Sequence, residues 1–356
     1  MNEKKVYSEE YCAACYFRTV AEYPKKKCLI QLTEKCNLRC EHCFVSANGN
    51  GQEMDFVKIR DNILPQLLKS NVSKVTLTGG EPFVYPQLLN VIELLLKNNI
   101  TVSICTNATL ITESFLDCLK GYNNYHFNVS LDGFSPSSHG KFRGNDNIKL
   151  YNTIINNIKL LGDRRVLNGI LVTPNVYSSV QEYIQLCEFA KMCHAKYVLM
   201  NPLSQLGRGE KSFNLAFDNH QMNELKQATQ KFNDENMEMV YIRFPNNMKK
   251  PLSECVAGKI MYIFTNGDIA FCPYMVFASK NEGSLYDTNE FILGNIFEQN
   301  FDWEIILNNY TFPVRYNEVC IGCDNQECKK GCYAAKMSRN AGLAERDRDI
   351  CPLEYR

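Results

Sequence analysis

Three closely spaced cysteines are the first residues in this sequence with evident chemistry. Cys36, Cys40 and Cys43 form a C-x3-C-x2-C triplet. Thiolates are soft ligands that suit iron–sulfur clusters, zinc or copper. Three thiolates on one loop can hold three corners of a cubane cluster, whose fourth iron then takes a ligand from outside the protein. Alone, the triplet also fits buried structural cysteines or a zinc site, for which His42 offers a further ligand.

A second group of cysteines lies near the end of the chain. Its pattern is C-x11-G-x4-C, then C-x2-C-x4-C-x3-C, then one more cysteine, with Gly267 as the glycine. The cysteines are Cys255, Cys272, Cys320, Cys323, Cys328, Cys332 and Cys351. Cys320 and Cys323 alone would fit a zinc ribbon. Seven patterned thiols are far more specific than one such pair, and they predict a second metal-binding region.

Composition narrows the classes of protein to be considered. The chain has 356 residues and 17 cysteines, and its 39 basic residues balance its 39 acidic ones. A balanced charge gives no reason to expect a nucleic-acid or anionic-membrane partner. No signal peptide and no run of roughly 20 apolar residues is visible. We therefore expect a cytoplasmic protein whose cysteines bind metal rather than form disulfides.

Alternating strands and helices must position these thiols. Short apolar runs predict six strands, at Cys28–Thr33, Lys74–Gly79, Thr101–Thr106, His126–Leu131, Gly169–Thr173 and Tyr197–Asn201. Helical patterns separate them, at Asp55–Ser70, Tyr85–Asn98, Thr112–Tyr122, Lys149–Gly162 and Ser179–Cys193. This alternation predicts an α/β fold, a partial (β/α)6 barrel resembling a TIM barrel, with chemistry at the C-terminal ends of the strands.

Four segments follow from this organisation. We expect an N-terminal extension over residues 1–27, the partial barrel over 28–210, a bridge over 211–250 and a cysteine-rich domain over 251–356. The last segment shows little periodicity, so its fold is expected to depend on metal.

Polar motifs follow the predicted strands. Gly79-Gly80-Glu81-Pro82 comes after the second strand, where glycines either form a turn or let the backbone approach a ligand closely. Ser130 and Asp132 lie on one side of an extended segment, where they either bind ribose hydroxyls or form an Asx-turn or helix cap. Arg143 is suited to binding a carboxylate in a bidentate manner.

The triplet with its surroundings, Cys36-Asn37-Leu38-Arg39-Cys40-Glu41-His42-Cys43, resembles the signature of the radical S-adenosylmethionine (SAM) superfamily. The resemblance implies that SAM chelates the open iron of a [4Fe–4S] cluster and yields, on reduction, a 5′-deoxyadenosyl radical that abstracts hydrogen. It further implies a SAM pocket formed by Gly79, Gly80, Glu81, Pro82, Asn107, Ser130, Asp132, Arg143, Leu171 and Asn201.

The C-terminal cysteines resemble the SPASM extension of radical SAM enzymes that modify peptides. The resemblance implies two auxiliary [4Fe–4S] clusters, hence three in all. Cluster II would be held by Cys320, Cys323, Cys328 and Cys351, and cluster I by Cys255, Cys272 and Cys332. No cysteine lies between Cys255 and Cys272, so cluster I has either an open iron or another ligand. Cys12 and Cys15 form a metal pair, supply the missing ligand, or do neither.

The resemblance predicts an oxidoreductase-type enzyme that modifies a peptide or protein by thioether or carbon–carbon cross-linking, epimerisation or side-chain oxidation, as in the maturation of ribosomal peptides. No catalytic residue is assigned. Expected partners are the substrate, a reductant such as flavodoxin or ferredoxin, and a separate leader-binding protein, because only 27 residues precede the first strand. Pro273 after Cys272 disfavours a sulfatase maturase. The alternatives are a radical SAM dehydrogenase of small molecules and a non-catalytic iron–sulfur carrier.

Overall fold

The structure is a computed structural model, and it describes residues 3–5, 10–15, 19–21, 24–255, 257–258, 260–309, 320, 322–325, 327–329 and 331–353. Within these residues, no helix is long and apolar enough to cross a membrane.

A sheet of ten strands organises the molecule. Its strands are β3 (Lys26–Gln31), β4 (Val72–Thr78), β5 (Thr101–Thr106), β6 (Tyr125–Ser130), β7 (Leu167–Val172), β8 (Tyr197–Met200), β9 (Glu238–Tyr241), β10 (Ile260–Ile263), β11 (Asp268–Ala270) and β12 (Ile292–Asn295). The spatial order is β12-β11-β10-β3-β4-β5-β6-β7-β8-β9, and the eight strands from β10 to β9 are parallel. A separate hairpin pairs β1 (Glu3–Lys5) with β2 (Thr19–Ala21).

Helices connect the parallel strands from β3 to β9 and cover one face of the sheet, and further helices follow β11. They are α1 (Phe56–Lys58), continued by a π-helical turn (Ile59–Ile63) and α2 (Leu64–Lys69), then α3 (Leu88–Lys97), α4 (Glu113–Cys118), α5 (Pro136–Phe142), α6 (Ile148–Asp163), α7 (Val180–Met192), α8 (Arg208–Lys211), α9 (Asn219–Thr229), α10 (Pro273–Ala278), α11 (Trp303–Asn309) and α12 (Tyr333–Met337). Side-chain caps define several starts. Ser179 and Glu182 form a capping box before α7, for example.

The two faces of the sheet differ in character. Alternate strand residues such as Ile104 and Val129 belong to the main apolar core with residues of the covering helices, including Ile92. The intervening residues point to the opposite, concave face, because side chains alternate along a strand. That face is more polar, and on it Tyr197 Oη donates to Asn128 Oδ1 at 2.7 Å.

The predicted α/β class and its six strands are confirmed, with shifts of one or two residues at most ends. The sheet is larger than expected. β9 comes from the segment predicted as a bridge, and β10 from the region predicted to have little regular structure. All four residues of β10, Ile260–Ile263, are buried, because this short strand pairs on one side with β3 and on the other with β11.

The expected division at residue 251 therefore falls between two strands of one sheet, and the three boundaries between the four segments stay predictions. The N-terminal segment also joins this region, since residue Cys12 pairs in parallel with Leu252. Residues from both ends of the chain meet there, because Ala14, Leu252 and Ile350 form one buried apolar cluster.

Candidate functional site

The segment from Cys36 to Cys43, here called the cysteine loop, follows β3 at the C-terminal edge of the sheet. Backbone hydrogen bonds hold it, with Cys36 N donating to Asn48 O at 2.6 Å and Glu41 N to Phe142 O at 2.9 Å. Arg208 adds side-chain bonds, from Nε to Cys40 O at 2.7 Å and from Nη1 to Ala47 O at 2.8 Å. The three thiols are thereby carried by a well-supported loop.

The three thiols of the cysteine loop lie close enough to influence one another. Cys40 is 7% exposed, and Cys36 and Cys43 are half-buried. Burial raises the pKa of Cys40 to about 12; the positive charge of Arg143 lowers it, and Cys43 and Cys36 raise it further. Burial also raises the pKa of Cys36, to which Cys43 contributes. Such thiols ionise readily only beside positive charge, such as a metal supplies.

Arg143 is the buried cation of the site. Its Nε donates to Asp132 Oδ2 at 2.6 Å, and its Nη1 lies 3.9 Å from Cys40 Sγ. Asp132 is 1% exposed, and its other oxygen accepts from Thr173 N at 2.7 Å. Burial alone would raise the pKa of Asp132, but Arg143 and His42 hold it below its usual value. Asp132 therefore positions Arg143, and its contact with ribose stays a prediction.

The two histidines of this region also contact Asp132. His139 Nδ1 accepts from Asp132 N at 3.1 Å, which gives this histidine a structural role. His42 stacks on Phe142 with ring centroids 4.2 Å apart, and its Nε2 lies 3.6 Å from Asp132 Oδ2. Burial lowers the pKa of His42 to about 4 and that of His139 to about 3. Both rings are therefore neutral near pH 7.

Gly79 and Gly80 let the chain after β4 pack closely against the segment that leads into the cysteine loop. Gly80 N donates to Thr33 O at 2.7 Å. A Cβ at Gly79 would lie 2.5 Å from Thr33 O, and one at Gly80 would lie 2.2 Å from Lys35 O. The close approach expected here is thus made to the protein's own backbone.

Glu81 is buried and linked to the end of β5. Its Oε1 accepts from Thr106 Oγ1 at 2.7 Å and its Oε2 from Asn107 N at 2.7 Å. Burial raises its pKa against the effect of these hydrogen bonds. Pro82 is buried at the start of the 3-10 turn that follows.

Asn107 is joined to the cysteine loop through Asn37. Asn107 Nδ2 donates to Asn37 Oδ1 at 2.9 Å, and Asn37 Nδ2 donates to Thr109 Oγ1 at 2.7 Å. Thr109 Oγ1 completes the set by donating to Asn107 Oδ1 at 2.6 Å. Asn107 therefore braces the cysteine loop, a role that the sequence analysis did not assign to it.

Ser130, Leu171 and Asn201 share the concave face at adjacent strand ends. Ser130 is aligned with Leu171, and Leu171 with Leu199, two residues before Asn201. All three predicted site residues are half-buried. Asn201 Oδ1 is buried without a hydrogen-bond partner. Such an atom fits a ligand donor group, because an unsatisfied buried acceptor is costly.

Two groups of cysteines form in the C-terminal region. Burial, then the thiols of Cys255 and Cys332, raise the pKa of Cys272 well above its ordinary value, and Cys15 contributes to the same rise. In the other group, burial raises the pKa of Cys351, with contributions from Cys328 and Cys320. The thiols of Cys15, Cys255 and Cys332 thus act on Cys272, and those of Cys320 and Cys328 act on Cys351. The two auxiliary clusters, with Cys323 among their ligands, stay predictions.

Arg208 is the site residue that the sequence analysis missed. Its neighbour Gly207 has φ 55°, and a Cβ there would lie 2.7 Å from Cys43 O. A signal is present in the sequence, since Gly207-Arg208-Gly209 follows the last predicted strand.

The residues present fit an iron–sulfur cluster with SAM. Three thiols share one loop, a buried guanidinium lies beside the middle thiol, and the unsatisfied Asn201 oxygen lies at a neighbouring strand end. Among the described residues, no three His, Cys, Asp or Glu side chains converge on one metal ion. In a cubane each thiolate binds a different iron, whereas all ligands of a single metal ion converge on that ion.

Comparisons with known proteins show what the whole chain is similar to. Residues 30–187 match the family model described as the radical SAM superfamily. The chain is 25% identical over 322 residues to the antilisterial bacteriocin subtilosin biosynthesis protein AlbA of Bacillus subtilis, covering 87% of this chain and 67% of AlbA. It is 32% identical over 162 residues to the cysteine-type anaerobic sulfatase-maturating enzyme of Clostridium novyi, covering 41% of this chain and 43% of that enzyme.

A solved structure shares the fold. The crystal structure of Streptococcus suis SuiB bound to precursor peptide SuiA superposes with a TM-score of 0.69 at 20% identity, covering 93% of this chain and 76% of SuiB.

Proposed function

We propose that this chain, which belongs to the radical SAM superfamily, uses SAM and a [4Fe–4S] cluster to modify a peptide or protein substrate by radical chemistry. When bound, these groups would supply a carbon-centred radical able to abstract hydrogen from an unactivated C–H bond. Cys36, Cys40 and Cys43 would hold the cluster through three of its irons.

The observation that carries this proposal is the arrangement of Arg143. A buried guanidinium fixed by Asp132 lies against the thiol of Cys40. A carboxylate bound beside the cluster would meet this positive charge, and a guanidinium is the side chain best shaped to accept it. An iron–sulfur carrier without a substrate would have no use for such a group.

The remaining SAM contacts are proposed for the strand ends. Ser130, Leu171 and Asn201 face the concave side of the sheet, where the unsatisfied Asn201 oxygen would accept a hydrogen bond from adenine. Glu81 and Asn107 would act less directly, since both are engaged in bonds that brace the cysteine loop.

The peptide substrate is inferred from the relatives. AlbA is described as a protein of subtilosin biosynthesis, and its similarity extends over 87% of this chain. Two auxiliary [4Fe–4S] clusters, held by the two C-terminal groups of thiols, would accept the electron released when a new bond forms. A reductant such as flavodoxin or ferredoxin, and a separate leader-binding protein, belong to the same proposal.

The test is a turnover experiment with cluster-reconstituted protein under anaerobic conditions. Reduced protein is incubated with SAM and with short peptides encoded beside its gene, and 5′-deoxyadenosine and peptide mass are measured. We expect 5′-deoxyadenosine together with a mass loss of about two hydrogens per cross-link. Cys40→Ala should abolish both, whereas Cys118→Ala, which changes an exposed cysteine on α4, should change neither.

Two outcomes would contradict the proposal. Absence of 5′-deoxyadenosine with fully loaded protein would leave the non-catalytic carrier. Formation of 5′-deoxyadenosine that depends on a small alcohol or sugar rather than on any peptide would favour the small-molecule dehydrogenase.

A further inference from the structure

We propose that Cys15 supplies the fourth thiolate of auxiliary cluster I, so that this cluster has four protein ligands and no open iron. The inference rests on the proposed function, because it presupposes that Cys255, Cys272 and Cys332 hold a cluster.

The pairing of the N-terminal segment brings Cys15 to this site. Cys12 N donates to Pro251 O at 2.8 Å, and Ser253 N donates to Cys12 O at 3.0 Å, so that Cys12 pairs in parallel with Leu252. Parallel pairing advances one residue for one. Cys15 lies three residues beyond Cys12, just as Cys255 lies three residues beyond Leu252.

Ala14 shows that the segment continues in this direction. Its N–H donates to Ser253 Oγ at 2.8 Å, and it is fully buried. A Cβ at Gly331 would lie 3.7 Å from Ala14 Cβ. Gly331 directly precedes Cys332, so the residue before Cys15 packs beside the residue before a proposed ligand. The next residue in both segments is a cysteine.

The burial of Cys15 agrees with this placement. Its exposed fraction is 5%, compared with 8% for Cys272 and 6% for Cys332, and Cys255 is half-buried. With Cys15 the group has four thiols, which is the number that a [4Fe–4S] cubane binds.

Cys12 differs from Cys15 although it lies three residues away. Its thiol is directed to the backbone of another segment, where it lies 3.8 Å from Phe244 O. The two cysteines therefore do not form a metal pair, and Cys12 provides a matched control.

The ligand set has a consequence for function. A cluster with an open iron could bind a substrate thiolate directly. A cluster closed by Cys15 exchanges electrons without binding substrate, because each iron already carries a protein ligand. The peptide would then be held by protein contacts alone.

The experiment uses a full-length background that keeps only the auxiliary clusters, Cys36→Ala/Cys40→Ala/Cys43→Ala, because the SAM cluster contributes an open iron of its own. Cys15→Ala and Cys12→Ala are each added to this background. Iron content is measured first, and then electron paramagnetic resonance spectra are recorded after mild ferricyanide oxidation. A cubane with only three protein ligands loses its open iron readily and gives the signal of a three-iron cluster.

We expect about eight iron atoms per chain in the background protein and no three-iron signal. Cys15→Ala should produce about one three-iron cluster per chain, and Cys12→Ala should produce none. A three-iron signal of about one per chain in the background protein itself would overturn the inference, and this reading does not depend on whether Cys15→Ala folds. An unchanged spectrum in folded Cys15→Ala would also overturn it. If the background protein binds no iron, the proposal that the chain holds auxiliary clusters is wrong, and the inference about Cys15 is wrong with it.

Discussion

Replacing Asp132 by asparagine should both destabilise the protein and weaken its binding of the methionine portion of SAM. The carboxylate is 1% exposed and accepts from Arg143 Nε at 2.6 Å and from Thr173 N at 2.7 Å. An amide keeps the shape but removes the negative charge, and it places N–H groups opposite one of these donors. Arg143 then becomes a buried cation without its counterion.

The expected cost follows from the burial of this pair. Removing one partner of a buried ion pair costs about 3–5 kcal/mol. At about 2 °C per kcal/mol for a large domain, this lowers Tm by about 6–10 °C. Because Asp132 and Arg143 act as one unit, Asp132→Asn/Arg143→Gln should lose about 2 kcal/mol less than the sum of the single variants.

The assay is thermal unfolding of the loaded protein by circular dichroism. Asp61→Asn is the control, because Asp61 also pairs with an arginine but on the exposed surface, and its Tm should not change. Calorimetric titration then compares methionine with 5′-deoxyadenosine. When Arg143 is no longer held in position, the Kd of methionine should rise by tenfold or more, and each factor of ten corresponds to about 1.4 kcal/mol of binding free energy. The Kd of 5′-deoxyadenosine should not change.

The opposite pattern would refute this reasoning. If Asp132→Asn weakened only the nucleoside, Asp132 would bind ribose as the sequence analysis predicted. Additive losses in the double variant would show that the two residues do not depend on each other.

Three further predictions concern the elements around the cysteine loop. Gly80→Ala, whose Cβ would lie 2.2 Å from Lys35 O, should displace that loop and reduce bound iron by about four atoms per chain; an unchanged iron content would contradict this. Asn37→Ala and Asn107→Ala should each lower Tm. If the decrease in Tm of the double variant is no larger than that of the more destabilised single variant, the hydrogen bond between the two residues accounts for the effect. Burial lowers the pKa of His139 to about 3, so the unfolded chain takes up this proton first, and stability falls as pH drops from about 6.5 toward 3; His139→Gln should flatten the curve of Tm against pH in this range, and an equally steep curve would contradict the prediction.

The strands and the order of the motifs were predictable because they are encoded locally. Thr101–Thr106 was predicted with its observed bounds, and Ser130 and Leu171 fell at the C-terminal strand ends as expected. Apolar runs bounded by turn residues identify such strands without any knowledge of partners.

Features that depend on distant residues were not predictable in this way. Asn37 meets Asn107 seventy residues away, and Cys12 meets Leu252 across most of the chain. β10 has only four residues, so its periodicity carries little signal. The ion pair of Asp132 was not predictable for the same reason: a carboxylate in a loop can bind a ribose or an arginine, and only the fold places Arg143 beside it.

The pairing of β3 with β10 has a consequence for how the protein folds. From β3 to β9, each parallel strand pairs with the next one in the sequence, so that this part can form progressively as the chain emerges from the ribosome. β10 instead pairs with the edge of β3 although more than two hundred residues separate the two strands in the sequence. This contact should therefore form late and slowly. Until it forms, β3 presents an unpaired edge that favours association with other chains. We therefore expect chains truncated before Ile260 to aggregate during synthesis, and slowed translation over residues 260–353 to lower the soluble yield.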